Sequence, residues 1–153
     1  MIPFIYAAMQ KTFQTTAAVM VNGNTIFTVT GGPIRIEEII STCVTANGAT
    51  ASTLQYSSTP TVGSATTFSG ASASLANATA GTNVRLAPTA LSTAPVVTAA
   101  AAGGVSLGTN VANRIVVKEG IITIVIAVGS TTGTWKHAIV YTPMTPDSRI
   151  AGN

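Results

Sequence analysis

Charged residues are scarce in this sequence. Only 7% of its 153 residues carry a charge, against about 25% in an average soluble domain. Thr, Ser, Ala, Val, Ile and Gly take their place, and the hydroxyl groups of Thr and Ser keep a weakly charged surface compatible with water. Because Thr, Val and Ile are β-branched and favour strands, the composition favours a protein built from β-sheets.

Cysteines and long apolar runs are also lacking. Cys43 is the one cysteine, so a disulfide within the chain is excluded. We expect a buried thiol there, since the surrounding stretch is apolar. The longest apolar run, residues 121–128, has the length of a strand and falls short of the roughly 18 residues needed to cross a bilayer as a helix. A signal peptide has a basic segment before its apolar region, and the apolar start of this sequence has none. We therefore expect no membrane partner.

The few charges present do not form a basic patch. Seven Lys and Arg residues against four acidic ones give a formal net charge of +3, but the basic residues are scattered singly along the sequence. Nucleic-acid binding needs clustered cations, often with aromatic residues between them, so we expect no nucleic-acid partner. A small positive excess is suited to docking on an acidic protein surface.

Short strand-like stretches recur between turn signals over the first hundred residues. The Asn22-Gly23-Asn24 turn precedes the first of them. In the second, alternation predicts that Ile34, Ile36 and Ile40 share a buried face opposite Arg35 and Glu37. The candidate strands are residues 25–30, 34 to 42 or 45, 52–56, 65–69, 83–87 and 95–98.

The C-terminal third has the clearest strand pattern. Residues 114–118, 121–128 and 134–142 predict three consecutive antiparallel strands, with Gly120 in a hairpin turn between the first two. In the third stretch, alternate residues place Trp135, His137, Ile139 and Tyr141 on one face. Many short strands with frequent turns are typical of a sandwich or a barrel.

These patterns predict an all-β fold. We expect a single antiparallel β-sandwich or jelly-roll-like barrel with an N-terminal arm. Residues 1–20 form the arm or a peripheral strand, and residues 21–145 form the sandwich domain. Residues 146–153 form an extended C-terminal tail that leaves the sheet, because Pro143 and Pro146 interrupt strand pairing.

The N-terminal arm holds the candidate partner-contact residues. Its apolar residues show no regular period, and two alternatives remain open: the arm packs on its own domain, or it reaches a neighbouring protein. The candidates are Ile2, Phe4, Tyr6 and Phe13.

No catalytic, cofactor-binding or metal site is predicted. His137 is the only histidine, and a Ser-His-Asp system would have to recruit Asp147 from the proline-flanked tail. Glu37 and Glu38 are neighbours on a strand, so we expect them to point to opposite faces. Cys43, His137 and the acidic residues lack the spacing of metal ligands. We therefore expect a protein that is not an enzyme.

Two groups of segments carry a resemblance. The sequence TVGSATTFS at 61–69 leads to AGT at 80–82, and TGTWK at 132–136 continues to VYTP at 140–143. Together these segments resemble small virion proteins of tailed bacteriophages, of the capsid decoration or minor head protein type. The resemblance implies a β-sandwich or jelly-roll-like protein that attaches outside the major capsid shell. It also implies a symmetric oligomer, and a trimer is the oligomeric state that the resemblance suggests.

This resemblance sets the leading functional hypothesis. We expect a structural virion protein that is assembled in the host cytoplasm, forms a homo-oligomer and binds the major capsid protein or another virion protein. One alternative is a tail, fibre or host-attachment component of a phage particle. A second alternative is a carbohydrate-binding β-sandwich module. These hypotheses are distinguished by position in the particle and by sugar binding.

Overall fold

The computed structural model describes residues 10–88, 90, 92–98 and 115–152. Within these residues the secondary structure consists of strands, and no helix is present. The strands are β1 (Lys11–Gln14), β2 (Ala18–Val21), β3 (Thr25–Thr30), β4 (Ile34–Cys43), β5 (Leu54–Pro60), β6 (Thr66–Thr67), β7 (Asn83–Leu86), β8 (Val96–Thr98), β9 (Ile115–Val117), β10 (Gly120–Ile126), β11 (Ser130–Pro143) and β12 (Arg149–Gly152).

The strands form two antiparallel sheets. In the described part of the chain, the larger sheet has the order β1-β11-β4-β7-β8, with β2 also paired to β11 and β9 also paired to β4. The smaller sheet has the order β12-β3-β10-β5-β6. The all-β sandwich predicted from the sequence is confirmed, and no closed barrel forms within the described residues.

The strand order is that of a jelly roll. Eight strands form its two halves, β2-β11-β4-β7 in one sheet and β3-β10-β5-β6 in the other, and the chain passes repeatedly from one half to the other. β1, β8, β9 and β12 extend this framework at its edges. Strands that are distant in the sequence therefore become neighbours in space.

Alternation of apolar and polar residues produces the core. In β11, Trp135 and Ile139 are fully buried, and His137 and Tyr141 lie on the same inward face. This confirms the face predicted for residues 134–142. The matching inward residues of the smaller sheet are apolar as well, so the two sheets enclose one continuous core.

The face predicted for β4 is wrong from Glu37 onward. Val140 pairs with Glu38 but Tyr141 pairs with Ile36, so Glu37 is an extra residue in a β-bulge. The bulge shifts the alternation by one position. Ile39, and not Ile40, is fully buried.

The predicted meander of three C-terminal strands is also wrong. β9 pairs with β4 in the larger sheet, β10 lies between β3 and β5 in the smaller one, and β11 returns to the larger sheet. Gly120 does have the positive φ expected of it, but its turn carries the chain from one sheet to the other. Alternation predicts which face of a strand is buried, whereas it does not predict which strand is its neighbour.

Both ends of the described chain add edge strands. Residues of β1 and β2 pair with the same edge of β11. After Pro143 the chain turns, and Arg149–Gly152 then pairs with β3 of the smaller sheet. The expectation that the tail leaves the sheet is wrong for these four residues, because Pro143 of β11 still pairs with Ile34 and pairing resumes at Arg149 with β3.

Serine side chains complete the edge of β5. β6 is two residues long, so most of β5 has no strand partner on that side in the described structure. The hydroxyl of Ser69 accepts a hydrogen bond from the backbone N–H of Tyr56 at 2.9 Å, and that of Ser72 accepts one from Leu54 at 3.0 Å. The Ser/Thr-rich segment therefore supplies the acceptors that a longer strand would provide.

Candidate functional site

Of the four predicted partner-contact residues, only Phe13 lies within the described structure. Ile2, Phe4 and Tyr6 lie outside the described residues. Phe13 lies in β1, is half-buried, and contacts Phe27 of its own domain edge to face, with ring centroids 6.2 Å apart. Phe13 thus packs on the core of its own chain.

An exposed strip of valines lies at the edge of the larger sheet. Val19 and Val21 flank the buried Met20 in β2, and their exposed fractions are 39% and 41%. Val19 pairs with Thr134, whose backbone carbonyl accepts a hydrogen bond from Val44 N–H at 2.8 Å. Val44 is 41% exposed. We call Val19, Val21 and Val44 the valine strip.

The valine strip borders an unpaired strand edge. In the described residues, β1 and β2 each pair with β11 on one side and have no strand on the other. Such an edge presents backbone donors and acceptors that another chain can pair with. Sequence reasoning missed this surface, although the spacing of Val19 and Val21 around Met20 has the period of two that indicates an outward face.

Most of the charge on β4 is neutralised by neighbouring side chains on the outer face of the larger sheet. Glu37 accepts hydrogen bonds from Arg35 Nε at 2.7 Å and from the Thr142 hydroxyl at 2.8 Å. Glu38 forms an ion pair with Arg85. The prediction that the two carboxylates point to opposite faces is wrong, because the bulge at Glu37 directs both to this face.

A chain of three polar side chains crosses the core. The Ser41 hydroxyl lies 2.8 Å from the Tyr56 hydroxyl and 2.6 Å from His137 Nδ1. All three side chains are buried. Burial lowers the pKa of His137 from 6.5 to about 4, and burial also raises the pKa of the Tyr56 hydroxyl. The sequence showed only His137, because Ser41 and Tyr56 come from other strands.

The structure does not assemble the catalytic triad considered from the sequence. Asp147 lies beside Gly31, in the turn that precedes β12. The side chain of His137 contacts Ser41, and no acidic side chain among the described residues hydrogen-bonds to it. The described residues also contain no group of three or more His, Cys, Asp and Glu side chains placed to hold a metal ion.

Cys43 is buried, as its apolar surroundings predict. Its thiol donates to the backbone carbonyl of Thr45 at 3.1 Å. Burial raises the pKa of the Cys43 thiol, which keeps it in the less reactive protonated form.

Trp135 is held in place by a buried asparagine. The side-chain carbonyl of Asn47 accepts hydrogen bonds from Trp135 Nε1 at 3.3 Å and from Gly133 N–H at 2.9 Å. The amide of Asn47 donates to the carbonyl of Leu75 at 3.1 Å. This amide therefore connects β11 to the Ser/Thr-rich segment and fixes the orientation of the indole.

Comparisons with known proteins add no relative. No protein family model matches the sequence, and no curated protein or solved structure matches it. The described part of the chain contains no helix that is long and apolar enough to span a membrane. Function must therefore be argued from the surface and the core of this fold.

Proposed function

We propose that this protein is a structural component of a virus particle, of the capsid decoration or minor head protein type. It attaches to the major capsid protein or another virion protein through the edge of its larger sheet and associates with copies of itself there. The observation that carries the proposal is the valine strip beside the unpaired edge of β1 and β2.

The surface chemistry of this edge supports a role in protein association. Val19 and Val44 lie on either side of Thr134, whose hydroxyl is 2.9 Å from that of Thr45, and Val21 lies two positions from Val19 in β2. An exposed apolar patch can be covered by another protein at little cost in desolvation. The free strand edge beside it can add backbone hydrogen bonds to the contact.

The fold is consistent with this proposal. Jelly rolls occur in viral capsid proteins and also in lectin domains, and a fold alone does not assign a function. The resemblance of the segments at 61–69 and 132–136 to virion proteins of tailed bacteriophages favours the first group.

Self-association can be tested with charged substitutions in β2. Sedimentation velocity at micromolar concentration compares the wild type with a Val19→Lys, Val21→Lys double variant. We expect an oligomer for the wild type and a monomer for the variant, because two ammonium groups would have to be desolvated in the contact. Val62→Lys is the matched control, since Val62 is 87% exposed and lies in the β5–β6 loop at the opposite edge of the sandwich. A monomeric wild type would contradict the proposed edge contact.

The place of the protein in a particle tests the remainder of the proposal. Virus particles purified from the natural source of the gene are labelled with gold-conjugated antibody against this protein and imaged by electron microscopy. We expect label over the outer surface of the head. Label on the tail would assign the protein to a tail or fibre instead, and its absence from particles would refute a virion role.

A further inference from the structure

The backbone of β2 points hydrogen-bonding groups away from β11. Val19 pairs with Thr134, but the carbonyl of Thr134 accepts from Val44 N–H and its N–H donates to the Thr45 hydroxyl. Both groups of Thr134 therefore face β4. Val19 consequently forms a non-hydrogen-bonded pair with β11, and its own N–H and carbonyl point to the free edge. By alternation, the N–H of Val21 points the same way.

β1 continues this edge. Thr15 N–H donates to the His137 carbonyl at 2.8 Å. Alternation therefore turns the backbone groups of Phe13 toward β11 and those of Thr12 and Gln14 outward. β1 and β2 run in the same direction beside β11, so their outward groups form one edge that is about 30 Å long.

The residues that precede β1 match this edge in length and chemistry. Residues 2–9, which we call the leading segment, have the sequence IPFIYAAM and carry no charge. They lie outside the described residues. An extended segment of this length spans about 26 Å, which is most of the edge. In a strand, Ile2, Phe4 and Tyr6 would share one face.

The geometry of β1 prevents the leading segment from covering the valine strip of its own chain. To lie beside its own β2, the segment would have to fold back along β1 through a tight turn. A two-residue turn at positions 9 and 10 would place Tyr6 opposite Phe13 and Phe4 opposite Thr15, and both rings would lie beside β1. The sequence before β1 also lacks the Gly, Asn or Asp that tight hairpin turns favour, since positions 7–10 are Ala-Ala-Met-Gln.

We propose that two copies of this protein exchange their leading segments, and that each segment adds a strand to the free edge of β2 in the other copy. This inference rests on the edge contact of the proposed function and names the segment that makes it. The two β1 strands pair antiparallel about a two-fold axis at Thr12. Their outward backbone groups then bond to each other, and each leading segment continues along the other copy toward β2.

The register of this exchange follows from the pairing of β1 and β2 with β11. From Gln14 to Ala18 the chain advances four residues, whereas their partners Ala138 and Trp135 are three apart. The extra residue shifts the register by one position between β1 and β2. Opposite Val19 and Val21 of one copy, the two-fold axis then places residues 6 and 4 of the other.

This register covers the valine strip with aromatic rings. Directly opposite residues of antiparallel strands share a face, so Tyr6 and Phe4 lie over Val19 and Val21 of the other copy. Large apolar area is buried by such rings. The N–H and carbonyl of Val19 also gain partners. Pro3 falls where an N–H would point away from the edge, so its lack of a donor costs no hydrogen bond.

Engineered cysteines test this register. In the exchange, Ala7 of one copy and Ala18 of the other form a non-hydrogen-bonded pair with Cα atoms about 4.5 Å apart, a distance that a disulfide can bridge. The Ala7→Cys, Ala18→Cys variant is oxidised in a glutathione buffer and analysed by non-reducing electrophoresis. We expect a disulfide-linked dimer. Ala8→Cys, Ala18→Cys is the matched control, because neighbouring side chains of a strand point to opposite faces. The native Cys43 is buried in both variants.

Three results of this experiment would overturn the exchange. A monomer with an internal disulfide, identified by mass spectrometry, would show that the leading segment folds on its own domain. Absence of any disulfide would show that the two alanines do not meet. Equal dimer formation by the control would show that the cysteines react through random collisions.

Sedimentation velocity tests the aromatic contact. The Phe4→Ser, Tyr6→Ser variant should dimerise at least about tenfold more weakly than the wild type, an effect of about 1.4 kcal/mol. Ile5→Ser should have a smaller effect, because Ile5 points to the opposite face. Equal weakening by the two variants would overturn the register. Thermal denaturation verifies that each variant is folded.

The same measurements separate this proposal from the proposed function. A wild-type oligomer that the Val19→Lys, Val21→Lys variant disrupts but the serine variant does not would preserve the edge contact and overturn the exchange. A monomeric wild type would overturn both. A trimer, which the resemblance suggests, would overturn the two-fold exchange alone.

Discussion

The free energy of unfolding should fall at acidic pH, because His137 binds a proton more readily in the unfolded chain than in the folded protein. The imidazole is buried, and burial lowers its pKa from 6.5 to about 4. Between these two values the unfolded chain binds a proton that the folded protein does not bind, so the free energy of unfolding decreases as the pH falls. Above pH 6.5 the contribution of the neutral ring is fully present.

The shift sets the magnitude of this effect. At about 1.4 kcal/mol per pH unit, the change in pKa from 6.5 to about 4 corresponds to a loss of about 3 kcal/mol. That is a large part of the 5–15 kcal/mol that is typical of folded proteins. We expect the loss to be complete near pH 4, where the folded form binds the proton as well.

Urea denaturation from pH 7.5 to 4 measures this dependence. His137→Asn is the comparison, because the asparagine amide has an atom at the position of Nδ1 that can still hydrogen-bond to Ser41 but does not titrate. Carboxylates titrate in both proteins, so the difference between the two curves isolates the histidine. Parallel curves would refute the reasoning, and so would a pKa near 6.5 for the imidazole of the folded wild type measured by nuclear magnetic resonance.

Three further predictions concern the core. Trp135→Ala should lower the free energy of unfolding by about 3–5 kcal/mol, and a loss below about 1 kcal/mol in chemical denaturation would place the indole outside the core. Ile39→Ala should cost about 2–5 kcal/mol and Ile40→Ala much less, since the bulge buries only the first. Equal losses in the same assay would argue against that bulge. Asn47→Ala should cost about 1–3 kcal/mol for each buried donor left without an acceptor, together with a shifted Trp135 fluorescence maximum, and unchanged emission would contradict the hydrogen bond to the indole.

The sequence was sufficient for the fold class and for most strands. Strict alternation in residues 134–142 predicted the buried face of Trp135 and Ile139, because every second side chain in a strand points inward. Asn22-Gly23-Asn24 predicted a turn, and Gly23 has the positive φ that such turns need. These features depend only on neighbouring residues.

Pairing between strands was beyond reach of the same reasoning. The segment 121–128 would show the same alternation whether it paired with residues 114–118 in a hairpin or lay in the other sheet. The pattern therefore could not distinguish the two arrangements. The extra residue at Glu37 shifts the alternation, so that Ile39 is buried in place of Ile40. Nothing in the local sequence pattern marks a bulge that contains no glycine.

The candidate sites show the same limit. His137 was visible in the sequence as a single histidine, but its partners Ser41 and Tyr56 belong to strands far from it in the chain. The contacts predicted for Ile2, Phe4 and Tyr6 remain predictions, since these residues lie outside the described structure.

The pairing of β2 with β11 has a consequence for synthesis. Met20 N–H donates to the hydroxyl of Thr131, 111 positions further along the chain. A growing polypeptide therefore cannot complete the larger sheet until the residues of β11 have left the ribosome. All-β domains with such distant pairings fold in milliseconds to seconds, and throughout that interval the apolar surface of the early strands stays open to water and to other nascent chains.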